Sequence, residues 1–594
     1  MATTDFDNSA NLERLNDNLA RIEALSQRLV AAFARKKTPR PDLQAPDPSL
    51  YLRAASAYWS EMLQNPSKIL EHQVSYWGKT LKHFVEAQEA LRDSPLTPPE
   101  DNTPEDRRFS NPLWKTHPYF NYIKQQYMLS SQAIEEAIAG LEALEPREKQ
   151  RLEYFGKQIV DMMAPTNFLG TNPDALMRAV ETEGESLVRG LENLVQDIEA
   201  NDGELLVTLA DRDAFEVGGN IATSPGAVVY RNRMFELIQY APSTEKVRAT
   251  PLLIFPPWIN KFYILDLKPQ NSLIKWIVDQ GYTLFVVSWV NPDATYAETS
   301  LDDYIQEGYL EAIAKVKEIC KVRSINVIGY CIGGTTLALT LALLDKRKDR
   351  SIKSATFFTT LTDFSDRGEV GVFLEDDFVN GIEAEVKASG ILRAYFMTRT
   401  FSYLRSNDLI YAPAIRSYML GEAPPAFDLL FWNGDGTNLP GKMTVEYLRG
   451  LCQSDRFATA TFPVLGEQVA LSGVKVPLCA VACETDHIAA WRSSMRGIAK
   501  MGSAEKSFIL SESGHIAGIV NPPSKKKYGH YTSDALFDDP DAWIARAEYH
   551  KGSWWPRWEE WLRGRSGRLI TARALPDSVL APAPGTYVLA VPNV

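Results

Sequence analysis

An α/β architecture, a mainly parallel sheet wrapped by helices, is what this sequence predicts for its larger part, and three observations predict it. From about residue 205, short runs rich in β-branched and aromatic residues alternate with helical stretches, the pattern of strands joined through crossover helices. One of those runs, SINVIGY, leads into Gly329-Tyr330-Cys331-Ile332-Gly333 and then into the apolar helical segment TTLALTLALLDK. An acidic cluster and then a histidine follow at the ends of two later runs, the order that a nucleophile on such a turn requires.

In chain order, residues 1–204 read as a helical domain broken by the proline-rich stretches KKTPRPDLQAPDPS at 36–49 and SPLTPPEDNTPED at 94–106, where proline removes donors and fixes φ. In its first helix Leu12, Leu15, Leu19, Ile22, Leu29 and Phe33 keep a three-and-four spacing with Ser26 in the open slot, which predicts one apolar face. About three heptads is short for a self-sufficient coiled coil, so this face serves either the body of the same molecule or a partner helix or hydrophobic surface. Residues 205–594 form the second domain. Its predicted strands lie in AVVYRNRMFELIQY, TPLLIFPPW, TLFVVSW, SINVIGY, SATFFTTL, VPLCAVAC and KSFILSES. The stretch of about 362–471 is too long for an ordinary connection, is rich in aromatic residues and contains the irregular run NGDGTNLPGK, which predicts an inserted cap.

Composition narrows the function. A formal net charge of −12 over 594 residues argues against a nucleic-acid partner. Residues 1–11 carry no basic and apolar signal pattern, and no run of about 18 apolar residues occurs, so the sequence predicts a soluble, cytoplasmic protein without a transmembrane segment. The five cysteines are thinly spread and fit reduced thiols, with Cys479 and Cys483 on an apolar run as core residues. Metal-ligand spacing is missing, and no metal or separate cofactor is expected.

The segment around Cys331 has the strand-turn-helix setting of a nucleophile elbow with cysteine in the serine position, which makes the α/β-hydrolase fold the specific expectation. Its glycines are needed because a side chain there would collide with the strand and helix. Asp486 stands after VPLCAVAC as the acid, with Glu484 a weaker alternative, and His515 after KSFILSES as the base, with His487 an oriented neighbour in the substrate region. The oxyanion donors expected of this fold are the N–H of Ile332 and one from Pro256-Pro257-Trp258-Ile259-Asn260; prolines have no N–H, which leaves Trp258 or Ile259.

Cysteine itself is informative. Moving an acyl group from a thioester to a thiol is close to thermoneutral, so the acyl-enzyme keeps its transfer potential for a later attack by an alcohol, which a serine ester would lose. A histidine partner generates the thiolate at neutral pH. Transfer from an acyl thioester to a hydroxyl is the indicated reaction, with simple hydrolysis as the alternative.

The combination of GYCIGG, PPWINKFYILDL, SWVNP, LTDFSD, NDLIY, FWNGDGTNLPG, ETDHIAAW and SGHIAGIVNPP, together with APTNFLGTNPDAL and ESLVRGLENL in the N-terminal half, resembles the class I polyhydroxyalkanoate synthases over most of the chain. The resemblance implies an acyltransferase that polymerises (R)-3-hydroxyacyl-CoA into a storage polyester and releases CoA, which is substrate and product rather than cofactor. It carries the catalytic cysteine, aspartate and histidine onto Cys331, Asp486 and His515. The aspartate then either assists the histidine or activates the incoming hydroxyl. It further implies a homodimer, association with the polyester granule surface and its proteins, and use of the N-terminal region for both. Trp258 stands where some members have cysteine, and Ser406 where proline is expected. Lys525, Lys526 and Lys527 form one basic run that could meet CoA phosphates, with Lys261 and Arg405 as alternatives, although such a run is more commonly a solvated surface. WWPRWEEW near the C terminus reads as helix-to-sheet packing. Two other functions are kept open: a depolymerase or thioesterase of the same fold, and a noncatalytic granule-coating protein.

Overall fold

Alternate residues of the strand Leu252–Phe255 face opposite sides of a sheet, and all four are fully buried, as in a strand covered by helices on both faces. This strand belongs to a computed structural model that describes residues 17–32 except 19, the single positions 52, 54 and 56, and residues 100–591 except 143, 202, 204 and 535–538. Leu12, Leu15, Leu19 and Phe33 of the expected stripe, the break at 36–49 and residues 94–99 of the second break lie outside the described residues. Two compact units are present: the described residues up to Leu209 together with Arg405–Pro425, and Ala210–Leu404 together with the described residues from Ala426 onward.

In the second unit an eleven-stranded sheet contains β1 (Gly226–Arg231), β2 (Phe235–Tyr240), β3 (Leu252–Phe255), β4 (Leu284–Trp289), β5 (Ile325–Tyr330), β6 (Ile352–Phe358), β7 (Leu478–Cys483), β8 (Lys506–Ser511), β9 (His530–Thr532), β10 (Glu548–His550) and β11 (Ala581–Pro582). Their spatial order is β10-β9-β8-β7-β6-β5-β3-β4-β2-β1-β11. The six from β4 to β8 pair in parallel, and antiparallel strands extend both edges. The expected strand AVVYRNRMFELIQY folds as a hairpin, because the Asn232 side chain accepts from the N–H groups of Met234 and Phe235 and turns the chain between β1 and β2. Side chains of the two sheet faces form separate cores, one with Leu253, Phe255 and Val287, the other with Leu252, Ile254 and Val286.

Register decides where chemistry can sit. Tyr330 of β5 is level with Phe358 of β6, Phe358 with Val481 of β7, and Cys483 of β7 with Ser511 of β8. The carboxyl ends of these strands therefore share one edge, where open α/β sheets place their ligands. The helix that follows β5, Ile332–Lys346, is buried from Gly333 through Leu344, as its all-round apolar sequence requires.

The first unit contains α1 (Pro118–Ala139), α2 (Pro146–Met162) and α3 (Glu185–Ala200). Leu25 and Leu29 of the preceding helix pack on Val188, Leu191 and Val195 of α3, and Arg21 pairs with Glu185 and Glu192 at 3.0 and 2.8 Å. The face used overlaps the expected stripe at Leu29 but departs from it elsewhere: Ile22 is exposed while Leu25 and Ala32 are buried. Arg405–Pro425 joins this unit through Tyr418, whose hydroxyl donates to Asp197 at 2.6 Å. Gly190, within ESLVRGLENL, permits that approach, since a Cβ there would lie 2.0 Å from the Tyr418 carbonyl oxygen. Among the described residues no helix is long and apolar enough to cross a membrane.

Candidate active site

Cys331 lies between β5 and the helix Ile332–Lys346, hereafter α4, at φ 53° and ψ −125°, a backbone state that L-residues rarely occupy. Its N–H donates to the Phe358 carbonyl at 2.8 Å, which fixes the turn onto the neighbouring strand. Three glycines make the turn sterically feasible. A Cβ on Gly329 would fall 2.5 Å from Gly334 Cα, on Gly333 2.6 Å from the carbonyl oxygens of Phe255 and Pro256, and on Gly334 2.0 Å from Thr360 Oγ1. The Cys331 side chain is half-buried at the edge of the core that contains Ile328 and Tyr330. The other four cysteines are buried: burial pushes the thiol of Cys320 up to about 11 and those of Cys452 and Cys479 up to about 12, while that of Cys483 is raised as well.

The loops after β7 and β8 are tied together, with the N–H of Glu484 donating to the Ser511 carbonyl at 2.8 Å and that of Thr485 to the Ser513 carbonyl at 3.0 Å. Asp486 Oδ1 accepts the N–H groups of Ile488 and Ala489 at 2.8 and 2.9 Å, which orients the carboxylate. Its Oδ2 is 2.7 Å from His515 Nδ1, with both side chains buried. Nδ1 is thereby engaged, and Cys331 acts electrostatically on the same ring. Burial alone would push the imidazolium pKa down, but Asp486 and Cys331 outweigh it and raise it to about 10. Glu484, the alternative acid, is exposed, whereas Asp486 meets the ring.

Several supporting residues are not evident from motif spacing. Tyr330 stacks on the His515 ring with centroids 6.0 Å apart, and its hydroxyl donates to the His515 carbonyl at 3.3 Å. The indole N–H groups of Trp554 and Trp555, at the start of the helix Trp555–Arg563, donate to the carbonyls of Gly518 and Ile519 at 2.7 and 2.9 Å, so the tryptophans pack the helix and also hold the loop that carries His515. Tyr447, on the inserted stretch, is buried, and burial together with Cys452 and Cys331 raises the pKa of its phenol. The expected tryptophan packing contained part of this signal; the tyrosines carried none.

The N–H of Ile332 opens α4 and as such has no acceptor within the helix. The loop of Trp258 and Ile259 passes close to it, as the approach of the Pro256 carbonyl to Gly333 shows. Both residues are buried: Trp258 donates its indole N–H to Thr336 at 3.2 Å, and the Ile259 carbonyl accepts from Thr437 at 3.2 Å. His487 is half-buried beside Asp486. Lys261 requires correction as a phosphate ligand, because it is buried with its ammonium 2.6 Å from Asp435 and donating to the Ala590 carbonyl at 3.0 Å. Arg405 is exposed and belongs to the first unit. Lys525, Lys526 and Lys527 are all exposed.

Comparison with known proteins adds independent findings. Residues 105–277 match the family model described as poly-beta-hydroxybutyrate polymerase (PhaC) N-terminus, and residues 251–522 match that of the alpha/beta hydrolase fold. The chain is 37% identical to the poly(3-hydroxyalkanoate) polymerase subunit PhaC of Rhizobium meliloti over 97% of this chain and 95% of the relative. Identity to the corresponding subunit of Cupriavidus necator is 41%, over 82% of this chain and 83% of the relative. The poly(3-hydroxyalkanoate) polymerase of Methylorubrum extorquens is 40% identical, over 89% of this chain and 87% of the relative.

Proposed function

The chain belongs to the poly(3-hydroxyalkanoate) polymerases, acyltransferase-type enzymes of the α/β-hydrolase fold, and from that premise we propose that it transfers (R)-3-hydroxyacyl groups from CoA to a growing polyester through an acyl-Cys331 intermediate. The observation that carries this reading is the single array of Cys331 in its strained turn, the His515 ring on which it acts electrostatically, and Asp486 2.7 Å from Nδ1 of that ring.

In the first half-reaction the Cys331 thiolate attacks the thioester carbonyl, and negative charge develops on its oxygen. The Ile332 N–H at the head of α4, with Trp258 or Ile259, is the group suited to receive that charge. The CoA sulfur leaves with the bond pair and takes the proton of the His515 imidazolium. In the second, His515 Nε2 accepts the proton of a 3-hydroxyl, the oxygen attacks the acyl-cysteine carbonyl, an ester bond forms, the carbon–sulfur bond breaks, and the thiolate and imidazolium are restored. Asp486 keeps Nδ1 protonated and stabilises the charged ring, and its bond to His515 supports assistance to the histidine over direct activation of the hydroxyl. A cytoplasmic granule surface and a second copy of the chain are the partners this reading expects.

The test is incubation of the purified protein with (R)-3-hydroxybutyryl-CoA. CoA release with insoluble polyester supports the reading. CoA release with only monomeric acid overturns it in favour of hydrolysis by the same residues.

A further inference from the structure

Lys525, Lys526 and Lys527 form an exposed cationic run in a chain of net charge −12, and among the described residues none of the three has a carboxylate partner. Buried Lys261, by contrast, is neutralised by Asp435. Like charges held together without counterions repel, and a bound polyanion relieves that repulsion. The question is whether this run is tied to the active site.

Local geometry ties it there. Lys527 Nζ lies 4.8 Å from the centroid of the Tyr528 ring, and Lys527, Ser513 and Lys525 together hold that phenol below its usual pKa. Ser513 is two residues before His515 and adopts φ 77°, so its backbone is held in the left-handed region where β8 gives way to the loop carrying that histidine. The lysine loop is fastened to the same region from two further points: Asn521 Nδ2 donates to the Tyr528 carbonyl at 3.0 Å, and the Gly529 N–H donates to the Glu512 carboxylate at 2.5 Å. Glu512 is thus directed to Gly529 and Tyr549. The groups gathered on Tyr528 are two ammoniums and one hydroxyl, a donor set for anionic oxygens.

We propose that Lys525, Lys527 and the Tyr528 hydroxyl form a phosphate subsite for the nucleotide end of the CoA thioester, fastened beside the His515 loop by Asn521 and Glu512. The proposal rests on the thioester reading above. A CoA thioester carries its reacting carbonyl and its phosphates at opposite ends of a flexible pantetheine arm, so a cationic cluster outside the reacting centre and fixed to the same loop adds binding energy without entering the chemistry. Ammoniums on long stems meet phosphate as mobile point charges.

The experiment measures thiol release from (R)-3-hydroxybutyryl-CoA and from (R)-3-hydroxybutyryl-pantetheine, which has the same acyl thioester without the nucleotide. The wild type is compared with the Lys525→Gln/Lys527→Gln double variant. Loss of the subsite raises KM for the CoA thioester about tenfold, leaves kcat unchanged, and leaves both constants for the pantetheine thioester unchanged. Added salt narrows the difference between wild type and variant. The thioester of 3′-dephospho-CoA distinguishes the two phosphate sources: a wild-type KM like that of the CoA thioester assigns the pyrophosphate, and one like that of the pantetheine thioester assigns the 3′-phosphate. Equal effects of the double variant on both parent substrates, or no effect on either, overturn the subsite while leaving the polymerase reading intact. A wild-type protein that turns over neither thioester removes both.

Discussion

The turn that carries Cys331 and the loop that carries Lys525 to Lys527 lie on either side of His515 in its loop and are held in opposite ways. Around Cys331 the constraint is backbone against backbone, at Gly333 so close that a single methyl group would overlap two carbonyl oxygens. Around the lysines it is a few hydrogen bonds beneath long exposed side chains. The contrast separates two tasks. Bond-making needs its atoms placed to a fraction of an ångström, whereas attraction of a flexible polyanion tolerates movement because charge acts over the Debye length, about 8 Å at physiological salt. Substitutions in the first region should therefore alter kcat or folding, and those in the second KM alone.

The sharpest break is Cys331→Ala. Acyl transfer should fall by several orders of magnitude, on the order of 10³ or more, with the denaturation midpoint little changed because the substitution removes a single sulfur atom from a half-buried side chain. CoA release followed by a thiol-independent assay checks it. Turnover that survives would favour a granule-coating protein with an adventitious activity, or a different nucleophile. Gly333→Ala attacks the same region through the backbone. Since neither the Phe255 nor the Pro256 carbonyl can swing away like a side-chain tip, about 1–3 kcal/mol of destabilisation is expected, together with loss of turnover. Urea denaturation and CoA release measure the two parts.

Protonation offers a subtler probe of the buried region. Because the folded-state pKa of His515 is raised from the ordinary histidine value of 6.5 to about 10, its charged form stabilises the fold. That contribution is complete below the unfolded pKa and is lost as pH rises through the folded one. The stability of the wild type relative to His515→Gln should accordingly decline between about pH 6.5 and 10. Urea midpoints taken across that interval test it, and a difference that grows with pH contradicts the assigned charge state. A smaller effect is expected at one remove. Trp554→Phe keeps an aromatic ring but deletes the donor to the Gly518 carbonyl, which costs about 1–2 kcal/mol and lowers kcat about tenfold through displacement of the His515 loop.

The buried region was also the more legible in sequence, and for the same physical reason. A nucleophile elbow demands glycines at fixed offsets between a strand and a helix, and the parallel sheet then obliges the acid and base to stand at later strand ends, so Cys331, Asp486 and His515 could be singled out before their geometry was known. Lys261 could not be read correctly, because its partner Asp435 comes from a remote stretch and only tertiary contact shows the ammonium to be neutralised. Nor could the part of the helix face at Leu25, although Leu29 of the expected stripe does pack there. Several apolar stripes can be drawn through that helix, and the contact with Val188 and Val195 selects one in which Ile22 remains exposed. Tyr330 was present inside the elbow motif, yet its stack on His515 depends on how β5 and the later loop meet.

Tyr528→Phe makes the finest cut between the two regions. It preserves the ring beneath Lys527 and all three charges, and removes only the hydroxyl on which Lys527 and Ser513 act. If the hydroxyl is one donor among several to a phosphate, KM for the CoA thioester should rise about two- to threefold, in keeping with the modest net value of an exposed hydrogen bond, while kcat, the denaturation midpoint and the pantetheine constants stay as they are. If instead the hydroxyl mainly braces Ser513, the His515 loop should loosen and kcat should fall for both thioesters alike. A parallel fall in kcat would assign Tyr528 to the buried scaffold, whereas a nucleotide-dependent rise in KM would assign it to the mobile, charge-reading side of the site.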